Sequence, residues 1–256
     1  MVAAVRREPA AFGLERARWR LADLATAVPD LAGYSRSGLS RLLRRHGVRL
    51  KRGRLRLHSP DPEYEAKLAR LERARALARR FPRRVGLWYA DETSVYRQPT
   101  LAGTWAPVGE EPTADLSHRA NTRHRRCGAL DVGSGRVVHT GGSRVDVAHL
   151  RRFLRALRAA DPARYLFLAW DNWPVHKHEA VLAEARAQRV RILWLPTYAP
   201  WTNPTEKLWR WLKQEAVHHH RHADDWAGLT ARVGAFLDRF ADGSDALLRY
   251  VGEWAD

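Results

Sequence analysis

The sequence predicts an α/β protein: a mixed β-sheet with helices packed on its faces, preceded by a small all-α helix-turn-helix domain with a wing. Three observations carry this. Beyond Arg84, apolar runs alternate with amphipathic segments in the order of a meander, then helix, strand, helix, strand, helix, which suits a mixed sheet. Before Arg84, two short helical segments are joined by a tight turn. Charge divides at the same place: residues 1–84 hold 22 basic and 8 acidic side chains, net +14, whereas residues 85–256 hold 23 and 20, net +3.

The chain has 256 residues, is 45% hydrophobic and carries a formal charge of +17. That apolar content supports a packed core and excludes simple disorder. Arginine outnumbers lysine 40 to 5, as a GC-rich coding sequence would produce by itself, so the total charge says little. Its concentration in one third of the chain says more, and points to a phosphate-backbone binder joined to a nearly neutral domain. Cys127 is the only cysteine, which excludes an intramolecular disulfide and a cysteine-based zinc cluster and reads as a reducing cytoplasm. No apolar run approaches the roughly 18 residues of a membrane span, and no signal core follows Arg6-Arg7, so no membrane partner is expected.

Taken in order, Leu14, Ala17, Leu21, Leu24, Ala25 and Val28 recur at helical spacing and predict a helix over 14–28 that stops at Pro29. Residues 35–47, with a polar start and Gly47 at the end, predict a second helix. In a helix-turn-helix this second helix lies in the major groove, so Ser35, Arg36, Ser37, Ser40 and Arg41 would face bases or phosphates, with Arg44 and Arg45 behind them. Residues 48–57 alternate apolar and basic around Gly53 and predict a hairpin wing bearing Lys51, Arg52 and Arg54. The bland alternative is a surface helix pair with solvated arginines. A charged helix over 63–80, with Leu68, Leu71 and Leu77 as its apolar stripe, reads as a connector. The layout is a helix-turn-helix domain at 14–58, a connector at 59–83 and a sheet domain at 84–256.

Within the sheet domain, strands are predicted at 85–90, 104–108, 126–132, 137–140, 164–170 and 191–195, and helices at 147–160, 179–188 and after Asn203-Pro204. Asp91 and Asp171 directly follow hydrophobic strands, where open α/β sheets place their sites. Glu206 falls in the first turn of the final helix. Alone, each has an ordinary reading as a cap or macrodipole partner; together, three carboxylates at three sheet exits can converge. Clustered carboxylates repel unless a cation neutralises them, and oxygen-only ligands favour Mg²⁺ or Mn²⁺. Two such ions about 3.5–4 Å apart would suit an in-line phosphodiester displacement.

Four runs carry a family resemblance: Tyr89-Ala90-Asp91-Glu92-Thr93; Thr104-Trp105-Ala106-Pro107-Val108-Gly109; Asp171-Asn172-Trp173-Pro174-Val175-His176; and the stretch from Leu195-Pro196 through Tyr198, Pro200 and Asn203-Pro204 to Glu206. With 34 residues between Asp171 and Glu206, the chain resembles the DDE transposases of the IS630 and Tc1/mariner superfamily over nearly its whole length. The resemblance implies a ribonuclease H-like fold, Mg²⁺, and Asp91, Asp171 and Glu206 as catalytic and metal-binding triad. It further implies cleavage of double-stranded DNA at transposon ends, insertion at a TA dinucleotide, action as a homodimer, and a place at the bacterial nucleoid. Members of the superfamily generally carry two helix-turn-helix units, whereas about 80 residues precede Val85 and only one unit fits. A truncated, non-mobile copy acting as a DNA-binding protein or a plain nuclease is therefore the alternative.

Asn172 and His176 follow the second aspartate closely enough to orient it or contact a phosphate, and Asn203 precedes Glu206 in the same run; these are the supporting residues. Trp173 and Trp201, in loops beside the triad, are candidate DNA contacts, while the other tryptophans, Trp209 among them, are assigned to the core and its rim. Glu92 is expected to point away from Asp91, because neighbouring strand residues face opposite sides. The histidine tract 218–222 is read as a polar or DNA-facing surface in preference to a zinc site.

Overall fold

The computed structural model describes residues 2–51 and 58–253. The chain divides into two compact units, residues 1–56 and 57–256. Among the described residues no helix is long and apolar enough to cross a membrane.

The first unit contains α1 (Val2–Val5), α2 (Leu21–Ala27) and α3 (Arg36–Arg45), with 3₁₀ turns at Pro9–Phe12 and Pro29–Leu31. Its core gathers Leu24, Val28, Leu31, Leu39 and Leu43. The predicted 14–28 helix starts seven residues late. Residues 14–20 are instead drawn into local contacts: Trp19 stacks edge-on against Phe12 at 5.3 Å, its indole N–H donates to Arg7 O at 2.9 Å, and the Arg20 N–H bonds Asp23 at 3.1 Å, capping α2 where it begins. Ser35 caps α3 by accepting from Gly38 N at 3.1 Å. The predicted wing falls largely outside the described residues, and Val48 to Lys51 are not a strand.

The second unit is built on five strands in the order β3-β2-β1-β4-β5: β1 (Val85–Tyr96), β2 (Arg123–Asp131), β3 (Val137–Gly142), β4 (Tyr165–Trp170) and β5 (Val190–Trp194). Pairing is antiparallel for β1–β2 and β2–β3 and parallel for β1–β4 and β4–β5, the mixed sheet expected. One face is covered by α5 (Val147–Ala160) and α6 (Glu179–Ala187). Leu150, Phe153, Leu154 and Leu157 form the apolar stripe of α5 and are fully buried, each contributing about 1.5–3 kcal/mol of transfer free energy. The other face is covered by α4 (Tyr64–Arg80), α7 (Thr205–Leu212), α8 (Trp226–Asp238) and α9 (Asp245–Val251).

Four expectations change. Residues 104–108 are not a strand: Trp105 and Val108 are fully exposed, and Pro107 cannot donate to a ladder. β1 instead runs six residues beyond Ala90, paired to β2 through Tyr96↔Arg123. The 64–80 helix is a packed layer of the second unit, with Leu71 and Ala74 against Leu87 and Tyr89, while Leu77 is 42% exposed. Two helices, α8 and α9, follow the helix predicted as last.

Candidate active site

The parallel pairing of β1 with β4 ends at Tyr89↔Ala169. Asp91 therefore lies two residues past the parallel part of the sheet, within β1 and not after it, and Asp171 follows the last residue of β4. Glu206 rises from the first turn of α7. All three carboxylates line one cavity of about 400 Å³, together with Asn172, Trp173, Thr197, Tyr198 and Asn203.

Hydrogen bonds around this cavity explain why the residues converge. Asn203 donates to Ala90 O at 3.0 Å and accepts from the Thr205 N–H and hydroxyl, so one side chain ties the strand before Asp91 to the helix that carries Glu206. Asn172 donates to Leu195 O at 2.5 Å, joining the loop after β4 to the loop after β5. On α7, Trp209 lies over Gly128, which faces Asp91 across the β1–β2 ladder; a Cβ there would stand 2.5 Å from the indole. This close approach lets Trp209 Nε1 donate to Asp91 Oδ2 at 3.0 Å. The far wall is held from the segment before α4. Ser59 donates to Thr197 O at 2.6 Å and Thr197 N–H donates to Asp61 at 2.7 Å, with Lys67 on the same carboxylate oxygen at 2.7 Å.

The surroundings push Asp91 and Asp171 in opposite directions. Burial, and then the negative charges of Glu92, Glu206 and Asp171, push the Asp91 carboxyl well above its ordinary range. For Asp171, burial pushes upward, but the hydrogen bond and charge of His176 and the Trp173 N–H outweigh it and hold the carboxyl below its usual value. His176 is fully buried. Burial alone would lower it, yet its bonds to Asp171 and Glu92 raise it to about 9.

Of the residues expected from sequence, Asn172, Trp173 and Asn203 join the triad at the cavity, and His176 sits behind Asp171. Trp201 does not line that cavity; it is 40% exposed and donates to Tyr64 Oη at 3.2 Å beside a neighbouring cleft. Glu92 does face away from Asp91, toward Trp170 and His176. Three histidines of the tract are engaged within the fold: His218 bonds Thr100 at 2.8 Å, His219 Nε2 meets the Ala102 backbone 3.0 Å from N and 2.7 Å from O, and His220 is buried, while Arg221 is exposed. Trp209, Ser59 and Asp61 carried no local signal of a site role, because their partners lie more than 100 residues away in the sequence. In the first unit, Arg36, Ser37, Arg41, Arg44, Arg45 and Lys51 are exposed and Ser40 is half-buried; none of these arginines has an ion-pair partner among the described residues. Arg52 and Arg54 lie outside those residues.

Residues 86–227, more than half of the chain, match the family described as DDE superfamily endonuclease. The chain belongs to that superfamily. This endonuclease also matches a winged helix-turn helix family over residues 15–66. It is 26% identical over 239 residues to the Insertion element IS630 uncharacterized 39 kDa protein of Shigella sonnei, covering 91% of this chain and 68% of that one. Among solved structures it resembles the Mos1 mariner paired end complex with Mn, with a TM-score of 0.66, 19% identity and coverage of 98% and 74%. It also resembles the Mos1 transposase paired-end complex with left transposon end, at 0.63, 19%, 97% and 75%. At these identities the structural likeness is one of fold. The endonuclease thus shares its fold with a mariner protein and about a quarter of its aligned residues with an IS630 one, in line with the resemblance carried by its four motif runs.

Proposed function

We propose that this endonuclease is the transposase of an insertion element, cutting phosphodiester bonds at the element's ends and joining the freed 3′ ends to target DNA at a TA dinucleotide. The observation that carries this reading is the single cavity lined by Asp91, Asp171 and Glu206. The donor set fits Mg²⁺ or Mn²⁺: all three are carboxylates, and Asp91 sits among like charges that push its carboxyl up and that a cation would relieve. The three residues would hold two ions, which when bound activate the attacking oxygen and stabilise the leaving one. The chain's own part is to fix those oxygens. Asn203 and Trp209 set Asp91 relative to α7, Asn172 joins the loops behind the cavity, and Trp173 and Tyr198 wall the approach. In each step one P–O bond forms in line with the one that breaks, with water or a 3′-hydroxyl as nucleophile, and the departing oxygen takes up a proton.

Duplex recognition is assigned to α3, with Arg36, Ser37, Ser40 and Arg41 at the groove and Arg44, Arg45, Lys51, Arg52 and Arg54 on phosphates. Joining two ends implies two copies of the chain acting as a homodimer. The test is incubation with the terminal-repeat DNA flanking the gene and Mg²⁺, scoring cleavage and joining. Both products are expected. Cleavage without joining indicates a plain nuclease, and binding without either indicates a DNA-binding protein.

A further inference from the structure

His176 touches two carboxylates, Glu92 within β1 and Asp171 in the loop directly after β4. It sits in the 3₁₀ turn Pro174–Lys177 after β4. Its Nδ1 is 2.7 Å from Asp171 Oδ1, and its Nε2 is 3.2 Å from Glu92 Oε1. Glu92 follows Asp91 on β1, and its side chain is only 8% exposed. The same Glu92 oxygen accepts the Trp170 indole N–H at 3.3 Å. The imidazole is fixed in rotation as well as position: it stacks on Trp170 at 3.9 Å and 22°, and meets Trp173 edge-on at 5.4 Å. Asp171 Oδ1 is thus occupied by His176 and by the Trp173 N–H at 3.1 Å, which leaves Oδ2 for the cavity.

Glu92, Asp171 and His176 have the composition of a metal-binding cluster, but they meet one another directly: Nδ1 forms an ion pair with Asp171 Oδ1 and also reaches the Asp171 backbone O at 3.4 Å, and Nε2 hydrogen-bonds Glu92. Two ligands of one ion, each about 2.0–2.2 Å from it, stand about 3 Å or more apart, and a 2.7 Å contact is closer than that. The second ring nitrogen points the opposite way, to Glu92.

We propose that Glu92 and His176 form a buried relay that fixes the carboxylate of Asp171 with one oxygen turned into the cavity, so that both are positioning residues for the endonuclease centre. This rests on the reading of Asp171 as a member of the triad. Glu92 anchors the imidazole, and the imidazole aims Asp171; neither reaches the DNA. Outer-shell partners that orient a ligating side chain typically cost about 10–100-fold in metal affinity or activity when lost.

The test is nicking of a supercoiled plasmid by the full chain as a function of Mn²⁺, with plasmid affinity and thermal unfolding measured alongside. His176→Asn puts an amide nitrogen at the Nδ1 position and is expected to nick within about tenfold of the wild type. His176→Gln, whose amide reaches the Nε2 position and leaves Asp171 unbonded, is expected to lose about 10–100-fold and to need more Mn²⁺ for half-maximal rate, with plasmid affinity unchanged. Glu92→Ala should show the same Mn²⁺ shift to a smaller degree. Asp171→Asn separates the two readings. If it is inactive while folded His176→Gln matches the wild type in rate and Mn²⁺ dependence, the relay is wrong and the triad stands; if Asp171→Asn nicks normally, the triad reading fails and the relay with it. Equal loss in His176→Asn and His176→Gln, or stoichiometric zinc in the purified wild type that either variant lacks, also overturns the relay.

Discussion

Trp209 Nε1 lies 3.0 Å from Asp91 Oδ2, and the contact exists because residue 128, opposite Asp91 on β2, has no side chain. An alanine there would put its Cβ 2.5 Å from the indole, so Gly128→Ala must push Trp209 away. Overpacking of this kind costs about 1–3 kcal/mol. We expect Gly128→Ala to lower Tm and cut DNA cleavage, and Trp209→Phe, which loses the donor and part of a buried ring, to cut cleavage and to lower Tm through the space it leaves. Unchanged cleavage in both variants would remove Trp209 from the site.

Asp91→Asn, Asp171→Asn and Glu206→Gln keep shape while removing an anionic ligand. Cleavage should fall by orders of magnitude and DNA binding should survive. Asp91→Asn should in addition raise Tm in metal-free buffer, since it deletes a charge held against Glu92, Glu206 and Asp171, and Mg²⁺ should stabilise the wild type more than the variant. Differential scanning fluorimetry with and without Mg²⁺ checks both signs.

The loop at 195–200 is latched from the segment before α4 by Ser59 and Asp61. Lys67 and then the Thr197 N–H hold the Asp61 carboxyl far below its usual range. Asp61→Ala should free the loop and leave the buried Lys67 ammonium unpaired. Because Tyr198 is already 78% exposed, chymotrypsin should cut there faster in the variant than in the wild type. Equal rates would show that the latch holds nothing.

Hydrogen bonds from Arg155 first, and then from Gln188 and Arg151, pull the Glu184 carboxyl down to about 2 from its ordinary 4.5. A depressed acid stabilises the fold at pH above its unfolded value, and that contribution is lost as pH falls toward the folded one. Between pH 4.5 and 2 the wild type should therefore lose Tm more steeply than Glu184→Gln. At pH 7 the variant should be the less stable of the two, by about 1 kcal/mol or less, since both arginines are about half exposed.

Removing arginines from α3 should act through phosphates. Each neutralised phosphate contributes about 0.9 to the slope of log K against log salt, so Arg44→Ala and Arg45→Ala should each flatten the slope by about that amount and weaken repeat and scrambled duplexes alike. A loss confined to the repeat would mean that these side chains read bases.

Local pattern determined much of this protein. Apolar periodicity gave α5, β4, α6 and β5 to within a residue or two, and the strand-then-acid pattern, with the final motif run, picked out three carboxylates that share a cavity. Alternation along β1 turned Glu92 away from Asp91, as the two-residue repeat of a strand requires. Tertiary structure alone decided what holds those carboxylates in place. Whether residues 104–108 extend the sheet depends on a pairing partner, and among the described residues they have none; where α2 starts depends on Trp19 reaching back to Arg7. Trp209, Glu92, Ser59 and Asp61 act through contacts, and Gly128 through the space it leaves for Trp209, that the fold brings together across 78 to 138 positions of sequence. A local window sees a glycine, a tryptophan or a serine, and only the folded chain fixes which atom each one meets.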